Sequence, residues 1–467
     1  MTVTEAFSQP LHDYIGQQRW FGGKGRRFRV TERTPFLWLS AEDERPAFRI
    51  ELFAVVYDNG ESDLYQVPLA YYDDAQEHLV HALIGAWTEP ELGEVFVYDA
   101  LHDHRATKHL LRGILDQREV EGLSFHRLDD VDTTIDAPSL LLPVEQSNSS
   151  LAYGEEALLK VFRKVAPGHN PDIEIHRELT LQKVEHVAEL YGWITATWEG
   201  GHTADLAMLQ QFLRTATDGW TLALTSVRDL YAEADLHADE VGGDFAAEAH
   251  RLGAATAAVH AYMAEGLGEV QWGHRQLEVL ANDMRSRLDA AVEIVPELGR
   301  YAPALREAFD ELAAFDASVR AHRIHGDLHL GQTLRTVKGW KLIDFEGEPA
   351  KPLAERLEPD SPVRDVAGML RSFDYAAATL LVDHPHDQQI AFRAREWAQR
   401  NRAAFCEGYA EESGGDPRDQ DVLIRTYETD KAVYEVVYES RNRPTWLPIP
   451  LAAIARLARS DRPEDTP

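Results

Sequence analysis

The pattern of apolar and polar positions divides the chain into a strand-rich first half and a helical second half. Residues 48–57 and 64–72 are rich in β-branched and aromatic side chains, and the turn Asp58-Asn59-Gly60 between them is typical of a β-hairpin. Similar patterns predict helices at residues 75–88 and 106–116, and strands at residues 93–99, 123–128, 139–144, 150–153, 157–162, 193–198 and 206–212. The first half therefore carries most of the predicted sheet.

Apolar positions in the second half recur at helical spacing, over residues 245–265, 275–295, 303–322 and 392–412. The predicted fold class is therefore α+β, with a β-rich upper part and an α-rich lower part. A chain of 467 residues is too long for one ordinary core and indicates two or three packed units. We place these units at residues 1–88, 89–212 and 213–467.

The most informative segment is His-Gly-Asp-Leu-His-Leu-Gly-Gln at residues 325–332, followed by Leu-Ile-Asp-Phe-Glu at residues 342–346. Asp327 in the His-x-Asp pattern can accept a hydroxyl proton, while the amide oxygen of Gln332 and the carboxylate of Asp344 can ligate one metal. Short predicted strands joined by a turn at Lys338-Gly339 would hold both carboxylates at one cleft. The segment indicates a phosphotransferase.

A transition-metal site is the alternative for this segment, because His325, Asp327 and His329 lie at alternate positions. A zinc site usually has further His or Cys ligands at short spacing, and the only cysteine, Cys406, lies far along the chain. The two acidic motifs occur in the order that phosphotransferases require, with a hairpin between them. We therefore favour the phosphotransferase and assign no chemical role to His329.

The charge and cysteine content narrow the partners and the compartment. With 47 basic and 79 acidic residues the formal net charge is −32, which argues against nucleic acid or an anionic membrane surface as a partner. A single cysteine excludes a disulfide scaffold, and neither a basic, apolar leader nor a run of about 18 apolar residues is present. We expect a cytoplasmic protein that binds anionic nucleotide only through a local positive site.

Residues 17–27 gather glycines and basic side chains and invite comparison with a phosphate-binding loop. The Walker pattern requires Ser or Thr after the Lys, whereas Lys24 is followed by Gly25. The interpretation that we favour is a structural turn at the C-terminus of a helix.

Lys160 lies within the apolar strand predicted at residues 157–162, where an unpaired ammonium group would be costly. Its expected partners are nucleotide phosphates and an acid on the following helix, which begins near Pro171. We choose Glu174 as that acid, with Glu178 one turn later as the alternative. A lone lysine in a strand is otherwise an exposed edge residue, so this assignment depends on the downstream motif.

Two other segments are candidates for nucleotide contact. A small polar turn could cover a triphosphate, although it lacks the glycines of a protein-kinase lid and is also consistent with an ordinary hairpin turn; its residues are Ser147, Asn148, Ser149 and Ser150. A strand end whose backbone groups could pair with an adenine edge contains Gln211, Phe212 and Leu213.

Taken together, these motifs resemble those of the protein-kinase-like superfamily in its small-molecule branch, near the aminoglycoside phosphotransferases and choline kinases. Within that branch the chain is similar to the actinobacterial maltokinases. The resemblance rests on residues 18–25, 325–332, 343–349, 364–373 and 441–448. It implies a bilobal fold with an N-terminal α/β cap at residues 1–88, a β-rich nucleotide-binding lobe at 89–212 and an α-helical lobe for catalysis and sugar binding at 213–467.

This resemblance implies transfer of the ATP γ-phosphate to the anomeric hydroxyl of maltose, giving maltose 1-phosphate and ADP for α-glucan and glycogen synthesis. By this resemblance Asp327 is the base, and Gln332 and Asp344 bind Mg²⁺. Lys160 pairs with phosphate and with Glu174, and residues 211–213 contact adenine. Gln332 replaces the Asn of protein kinases, and no Ala-Pro-Glu segment follows, which argues against a protein substrate.

For the sugar, the helix predicted at residues 430–439 is the most suggestive region, because its polar positions share one face. The alternative is an amphipathic helix whose tyrosines pack against the lobe. The resemblance favours sugar contact, and together with Asp327 the expected contacts are His325, Lys431, Tyr434, Glu435 and Tyr438.

Two other functions remain open at this stage. A related kinase acting on glucosamine would need carboxylates near the amino group, which Glu435 and Glu439 could supply. A pseudokinase that only binds nucleotide and a partner is disfavoured because four residues are intact: Lys160, Asp327, Gln332 and Asp344. We expect a monomer on its own, and the resemblance implies a complex with trehalose synthase.

Overall fold

The computed structural model describes residues 5–128, 135–143, 147–349, 351–383 and 387–459. The chain forms two compact units, the first containing Met1–Arg177 and Ala188–Arg214 and the second containing Glu178–Val187 and Thr215–Pro467. Strands concentrate in the first unit and helices in the second, so the predicted α+β class is confirmed.

The first unit is built mainly from antiparallel strands. Its elements are α1 (Glu5–Gln17), β1 (Phe28–Pro35), β2 (Ala47–Tyr57), β3 (Ser62–Tyr72), β4 (Leu83–Glu89), β5 (Gly93–Asp99), α2 (His104–Leu115), β6 (Glu119–Val120), β7 (Leu123–Arg127), β8 (Ser139–Leu141), β9 (Ser149–Tyr153), β10 (Ala157–Val161), β11 (Lys164–Val165), α3 (Pro171–Leu181), β12 (Leu190–Trp198) and β13 (His202–Gln211). The last residues of α3 belong to the second unit.

These strands form two sheets, with the orders β1-β2-β3-β5-β4 and β6-β7-β12-β13-β10-β9-β8. β11 follows β10 in the chain but pairs with β3 of the other sheet. Buried polar groups add to this connection. Gln66 Nε2 donates to the carbonyls of Phe162 and Leu206 at 3.0 and 2.9 Å, and Arg163 donates to Asp99 at 2.7 Å.

The hairpin predicted around Asp58-Asn59-Gly60 is confirmed as β2 and β3. The helix predicted at residues 75–88 is wrong, because only a 3₁₀ turn forms at Glu77–Ala82 and the chain then enters β4. β5 supplies a partner for β4, and this long-range pairing overrides the local helical pattern. The boundary that we placed after residue 88 falls inside β4.

The turn after α1 is structural, as predicted. α1 ends at Gln17, and the following Trp20 and Phe21 are buried with 7% and 2% exposure. The amide of Gly22 donates to the hydroxyl of Tyr65 at 3.2 Å. The residues after α1 therefore pack on the first sheet and hold the end of α1 against it.

The second unit is mainly helical. Its elements are β14 (Thr217–Asp218), α4 (Gly219–Ala232), α5 (Ala246–Leu267), β15 (Glu269–Trp272), α6 (His274–Ile294), α7 (Ala302–Ala314), β16 (Val319–His322), β17 (Thr333–Thr336), β18 (Gly339–Leu342), α8 (Leu353–Arg356), α9 (Val363–Thr379), α10 (Gln388–Ser413), α11 (Asp421–Asn442) and α12 (Pro448–Leu457). None of the helices among the described residues combines the length and apolar character that crossing a membrane requires.

Two features of this unit bear on the site. The predicted hairpin around Lys338-Gly339 is confirmed as β17 and β18, with Thr336 opposite Gly339. The helix predicted at residues 303–322 ends earlier, at Ala314, and the rest of that segment forms β16, which pairs with β15. A strand therefore leads directly into the Asp-containing motif.

Candidate active site

The loop at residues 323–329, which follows β16 and carries Asp327, is fixed to helix α9 by a buried carboxylate. Asp365 accepts the amide hydrogens of His325 and Gly326 at 2.8 and 2.9 Å, one on each oxygen. Gly326 has a φ of +81°, a conformation that glycine adopts readily. The side chain of Asp365 therefore fixes the backbone at both His325 and Gly326.

Helix α9 supports the same loop at two further positions. A Cβ atom on Gly368 would lie 2.7 Å from the carbonyl oxygen of Leu328, so only glycine permits this approach. One turn later, Ser372 Oγ accepts the amide hydrogen of Leu330 at 3.0 Å. The loop thus rests on α9 through three successive turns.

Asp365 itself is held by His260 Nε2 at 3.1 Å, and His260 Nδ1 lies 2.9 Å from the hydroxyl of Tyr409. Burial would raise the pKa of Asp365, but the hydrogen bond and charge of His260 and the amide of Gly326 hold it below its usual value. The sequence analysis did not assign this residue. The available signal was an acid among the mostly apolar positions at the start of α9, where burial demands partners.

Asp327 pairs with a lysine of helix α11. Lys431 Nζ donates to Asp327 Oδ1 at 2.7 Å, and the aspartate side chain is 19% exposed. Burial would raise the pKa of Asp327, but the charges of Lys431 and His329 outweigh it and lower the pKa below its usual value. The carboxylate is therefore held in its ionised form at neutral pH.

His329, which had no role in the sequence analysis, orients the turn next to Asp327. Its Nδ1 accepts the amide hydrogen of Gly331 at 3.1 Å and caps the 3₁₀ turn Leu330–Gln332. Its Nε2 lies 4.0 Å from Asp327 Oδ2. Burial lowers the pKa of His329, although the charge of Asp327 acts in the opposite direction.

Gln332 and Asp344, the predicted metal ligands, come together at the base of the β17–β18 hairpin. Gln332 Nε2 donates to Asp344 Oδ2 at 3.0 Å, and the amide of Ile343 donates to the carbonyl of Gln332 at 3.1 Å. Asp344 has a φ of +67°, an unfavourable conformation for a non-glycine residue. An amide oxygen and a carboxylate suit Mg²⁺, so these two side chains fit the predicted ion.

The prediction that His325 contacts sugar is corrected. The side chain is fully buried, with 0% exposure. Its Nε2 donates to the carbonyl of Ile343 at 2.9 Å, and its Nδ1 accepts from the amide of Asp327 at 3.4 Å. His325 therefore connects the Asp327 loop to the segment that carries Asp344, and both ring nitrogens are used within the protein.

Helix α11 presents the other predicted sugar contacts differently. Tyr434 and Tyr438 stack with ring centroids 6.1 Å apart, and Tyr438 is 41% exposed. Glu435 instead accepts a hydrogen bond from Arg371 at 2.5 Å, and burial raises its pKa. The tyrosines remain accessible for a ring contact, whereas the Glu435 carboxylate already has a buried cationic partner.

In the first unit, the buried Lys160 binds an acid that we had not chosen. Its Nζ donates to Asp172 Oδ2 at 2.9 Å, whereas the sequence analysis named Glu174. Asp172 Oδ1 also lies 3.0 Å from His176 Nδ1. Burial would raise the pKa of Asp172, but Lys160 and His176 lower it. The missed residue lies in the first turn of α3, and pairing of Glu174 with Lys160 stays a prediction.

The predicted phosphate turn is shorter than expected. Ser149 and Ser150 lie in β9 and are buried, with 7% and 1% exposure, and Ser149 Oγ accepts a hydrogen bond from Arg163 at 2.8 Å. These two residues are therefore part of the sheet and not of an exposed turn. Ser147 and Asn148 lie outside β9, and their contact with phosphate stays a prediction.

The predicted adenine-contacting segment is partly used by the protein itself. The amide of Gln211 donates to the carbonyl of Glu189 at 2.8 Å, and that of Phe212 donates to Glu156 at 2.9 Å. These two amides are therefore not free to pair with adenine, and contact of Gln211 and Phe212 with adenine through their other groups stays a prediction. Leu213 is half-buried, and its contact with adenine stays a prediction.

Comparison with known proteins agrees with this architecture. Residues 14–103 match the maltokinase N-terminal cap domain, and residues 229–413 match the phosphotransferase enzyme family. The chain is a phosphotransferase with a maltokinase-type cap. The cap match includes β1 to β5, so it extends past residue 88.

Among curated proteins, the phosphotransferase is similar to two glucosamine kinases. That of Streptacidiphilus jiangxiensis is 29% identical over 325 residues, which span 66% of this chain and 70% of that protein. That of Mycolicibacterium smegmatis is 25% identical over 326 residues, 68% of this chain and 78% of the relative.

Solved structures show the same fold. A glucosamine kinase in complex with glucosamine, ADP and inorganic phosphate superposes with a TM-score of 0.68 at 21% identity, covering 98% of this chain and 100% of the other. A second crystal form gives a TM-score of 0.69 at 21% identity, with coverages of 92% and 94%. The predicted kinase-like fold with an N-terminal cap is therefore confirmed.

Proposed function

We propose that this phosphotransferase is an ATP-dependent kinase that phosphorylates maltose at its anomeric hydroxyl, giving maltose 1-phosphate and ADP. The observation that carries the proposal is the pairing of Asp327 with Lys431 in a small cavity of the second unit. This pair combines the ionised carboxylate of Asp327, which is the expected proton acceptor, with the ammonium group of Lys431 beside it. The same cavity is lined by Tyr434 of α11.

In this mechanism Asp327 accepts the proton of the anomeric hydroxyl as the oxygen attacks the γ-phosphorus of ATP. Its lowered pKa keeps it available as an acceptor at neutral pH. Lys431 orients the carboxylate, and Lys160 contributes positive charge for the nucleotide phosphates. Gln332 and Asp344 would hold Mg²⁺, which when bound neutralises phosphate charge. Positioning and charge neutralisation supply most of the rate enhancement.

The ammonium group of Lys431 is one argument for a neutral sugar over an amino sugar. A protonated amino group in this cavity would meet the ammonium of Lys431, 2.7 Å from Asp327. The two carboxylates that we considered for an amino sugar are occupied: Glu435 by Arg371, and Glu439 by Tyr375 and Arg443. Neither carboxylate is left to compensate the added positive charge.

Room for a second ring is the other argument for a disaccharide. A cavity of about 170 Å³ adjoins the cavity at Asp327, and the two share Gly326, Glu348 and Arg364 in their linings. Arg364 binds Glu348 at 2.8 Å and Asp360 at 2.9 Å, so this wall is a fixed array of polar groups. Such groups suit the hydroxyls of a sugar.

Glucosamine is the second candidate acceptor. It is favoured by the names of the two curated relatives, both of them glucosamine kinases, at 29% and 25% identity. If this acceptor were correct, the roles of Asp327, Gln332 and Asp344 would stand, and the argument from Lys431 would fall.

The test is ADP release with ATP and Mg²⁺ over a panel of maltose, glucose, glucosamine, trehalose and an aminoglycoside. We expect maltose to give the highest kcat/KM, with phosphate on the reducing-end anomeric carbon by ³¹P NMR. Asp327→Asn should abolish the signal. If glucosamine were the only good acceptor, the maltose assignment would be contradicted. If no acceptor gave turnover, the result would favour a pseudokinase over an active enzyme.

We also propose, on the resemblance alone, that the product feeds α-glucan synthesis in the cytoplasm and that the monomer binds trehalose synthase. Size-exclusion chromatography of the two purified proteins, alone and mixed, tests the last point. Two unshifted peaks at micromolar concentrations would contradict it.

A further inference from the structure

The second unit contains a cavity of about 620 Å³ among helices α9, α10 and α12. Five of the sixteen residues that line it are arginines and one is acidic. The chain as a whole has the opposite balance, with 47 basic and 79 acidic residues. The arginines are Arg371, Arg395, Arg402, Arg456 and Arg459, and we call this space the arginine cavity.

Three of these arginines converge on the one acidic residue of the lining. Arg371 and Arg402 each donate to Asp374 Oδ2 at 3.2 Å, and Arg456 contacts the same oxygen. Asp374 is nearly buried, with a side-chain exposure of 9%. One carboxylate thus holds three guanidinium groups in fixed positions at the cavity wall.

The remaining carboxylates do not neutralise the cluster. Arg371 binds Glu435 and Arg402 binds Glu428, each at 2.5 Å. With Asp374, three carboxylates therefore face five guanidinium groups, which leaves an excess of two positive charges. This excess matches the charge of a phosphate monoester near neutral pH.

Two arginines of the lining have no ion-pair partner among the described residues, and both are accessible. Arg395 and Arg459 are exposed and form no ion pair with any residue in the described part of the chain. In addition, the buried Nε of Arg371, a residue with 1% exposure, has no hydrogen-bond partner among the described residues. The exposed guanidinium groups of Arg395 and Arg459 are therefore available as donors at the rim.

The rest of the lining is apolar and small. Seven alanines leave the space open, and Leu381 and Ile449 add apolar surface. Arginine forks bind phosphate oxygens in pairs, and an apolar floor suits the carbon skeleton of a small metabolite. We propose that the arginine cavity is a second ligand site, which binds a small organic phosphate monoester such as a hexose phosphate.

This site is separate from the phosphotransfer centre, because the arginine cavity and the cavity at Asp327 share no lining residue. The proposal does not depend on which sugar the enzyme phosphorylates. A failed maltose assay would therefore leave it untouched, and its own failure would leave the maltose assignment untouched.

The test is isothermal titration of the full-length protein with glucose 6-phosphate in the absence of nucleotide, with glucose as the uncharged comparison. We expect one saturable site for glucose 6-phosphate and no binding of glucose. The double variant Arg395→Gln, Arg459→Gln should weaken affinity at least tenfold, since two charge-assisted hydrogen bonds are lost. Neither arginine supports the fold through an ion pair with a described residue, so thermal unfolding should not change.

A matched control removes the same charge elsewhere: the double variant Arg275→Gln, Lys338→Gln changes two exposed residues outside the arginine cavity. A third variant, Ala452→Phe, fills the cavity without changing charge and leaves Asp327 intact. The control should bind like the wild type, and Ala452→Phe should lose binding. Absence of a saturable site, equal weakening in the control, or full affinity in Ala452→Phe would each overturn the proposal.

Discussion

The first sheet of the chain and the loop around Asp327 both bury carboxylates, but they pair them in different ways. In the sheet, Glu51 is fully buried and receives Arg33 at 2.6 Å and Arg49 at 2.6 Å. Glu89 binds Arg49 at 2.7 Å in turn. Glu51 and Glu89 each have the same two arginine partners, Arg33 and Arg49. We call these four residues the closed set.

At Asp327 the pairing is sparser. One ammonium group, that of Lys431, contacts a carboxylate that is 19% exposed. A carboxylate with two arginines would be held too firmly to exchange a partner for an incoming hydroxyl, whereas a single lysine leaves one oxygen available. We call Asp327 and Lys431 the open pair. The comparison indicates that the closed set contributes to stability and the open pair to turnover.

The largest expected effect comes from removing the charge at the open pair. Asp327→Asn keeps the shape of the side chain but cannot accept the proton, so kcat should fall about 10³-fold. Steady-state ADP release at saturating acceptor measures this. The unfolding midpoint should stay near that of the wild type, and retention of more than a tenth of the activity would refute the role of Asp327.

A smaller loss is expected when the support of the Asp327 loop is weakened. Asp365→Asn leaves one acceptor oxygen for the amides of His325 and Gly326, so the loop should lose its fixed geometry. We expect kcat to fall about 10²-fold, as is found when a reacting group moves by about 1 Å. Ser361→Ala, on a residue just before α9, provides the control, and equal losses in both variants would contradict a specific positioning role.

Replacing the single cation should shift the pH dependence. Lys431 lowers the pKa of Asp327 against the effect of burial, so in Lys431→Met burial is opposed only by the charges of His329 and His325 and that pKa should rise. A base must be deprotonated to act, and the acidic limb of the kcat/KM profile should therefore move to higher pH. A profile that keeps the wild-type acidic limb would show that Lys431 does not tune Asp327.

The smallest effect on turnover is expected in the closed set. Glu51→Gln leaves Arg33 and Arg49 without their main counter-charge, so the free energy of unfolding should fall by about 3 kcal/mol while kcat stays within about twofold. Burial would raise the pKa of Glu51, but the arginines hold it below its usual value. This contribution is present above the unfolded pKa and is lost as the pH falls through the folded pKa, so the variant and the wild type should converge in acid.

Motifs that combine local spacing with a turn signal were predictable from the sequence. The Lys338-Gly339 hairpin brought Gln332 and Asp344 within 3.0 Å, as expected. The residues that the sequence analysis missed act through long-range contacts. Asp365 reaches back about forty positions to the loop at His325, and nothing in the local pattern of α9 identifies its partners.

Helix register was a second feature that the sequence did not define. Asp172 and Glu174 lie two positions apart at the start of α3, and the contact of Asp172 with Lys160 depends on the residue at which the helix begins. Helix starts are poorly defined by pattern alone. The segment at residues 75–88 failed for a different reason, since its strand partner β5 lies outside the window that shows the helical pattern.

The most direct test of the comparison measures both properties in both regions. The free energy of urea unfolding and kcat should be determined side by side for Glu51→Gln and Asp327→Asn. We predict that the first variant loses stability and keeps turnover, while the second keeps stability and loses turnover. Parallel losses of both properties in the two variants would contradict the division between a closed set for stability and an open pair for catalysis.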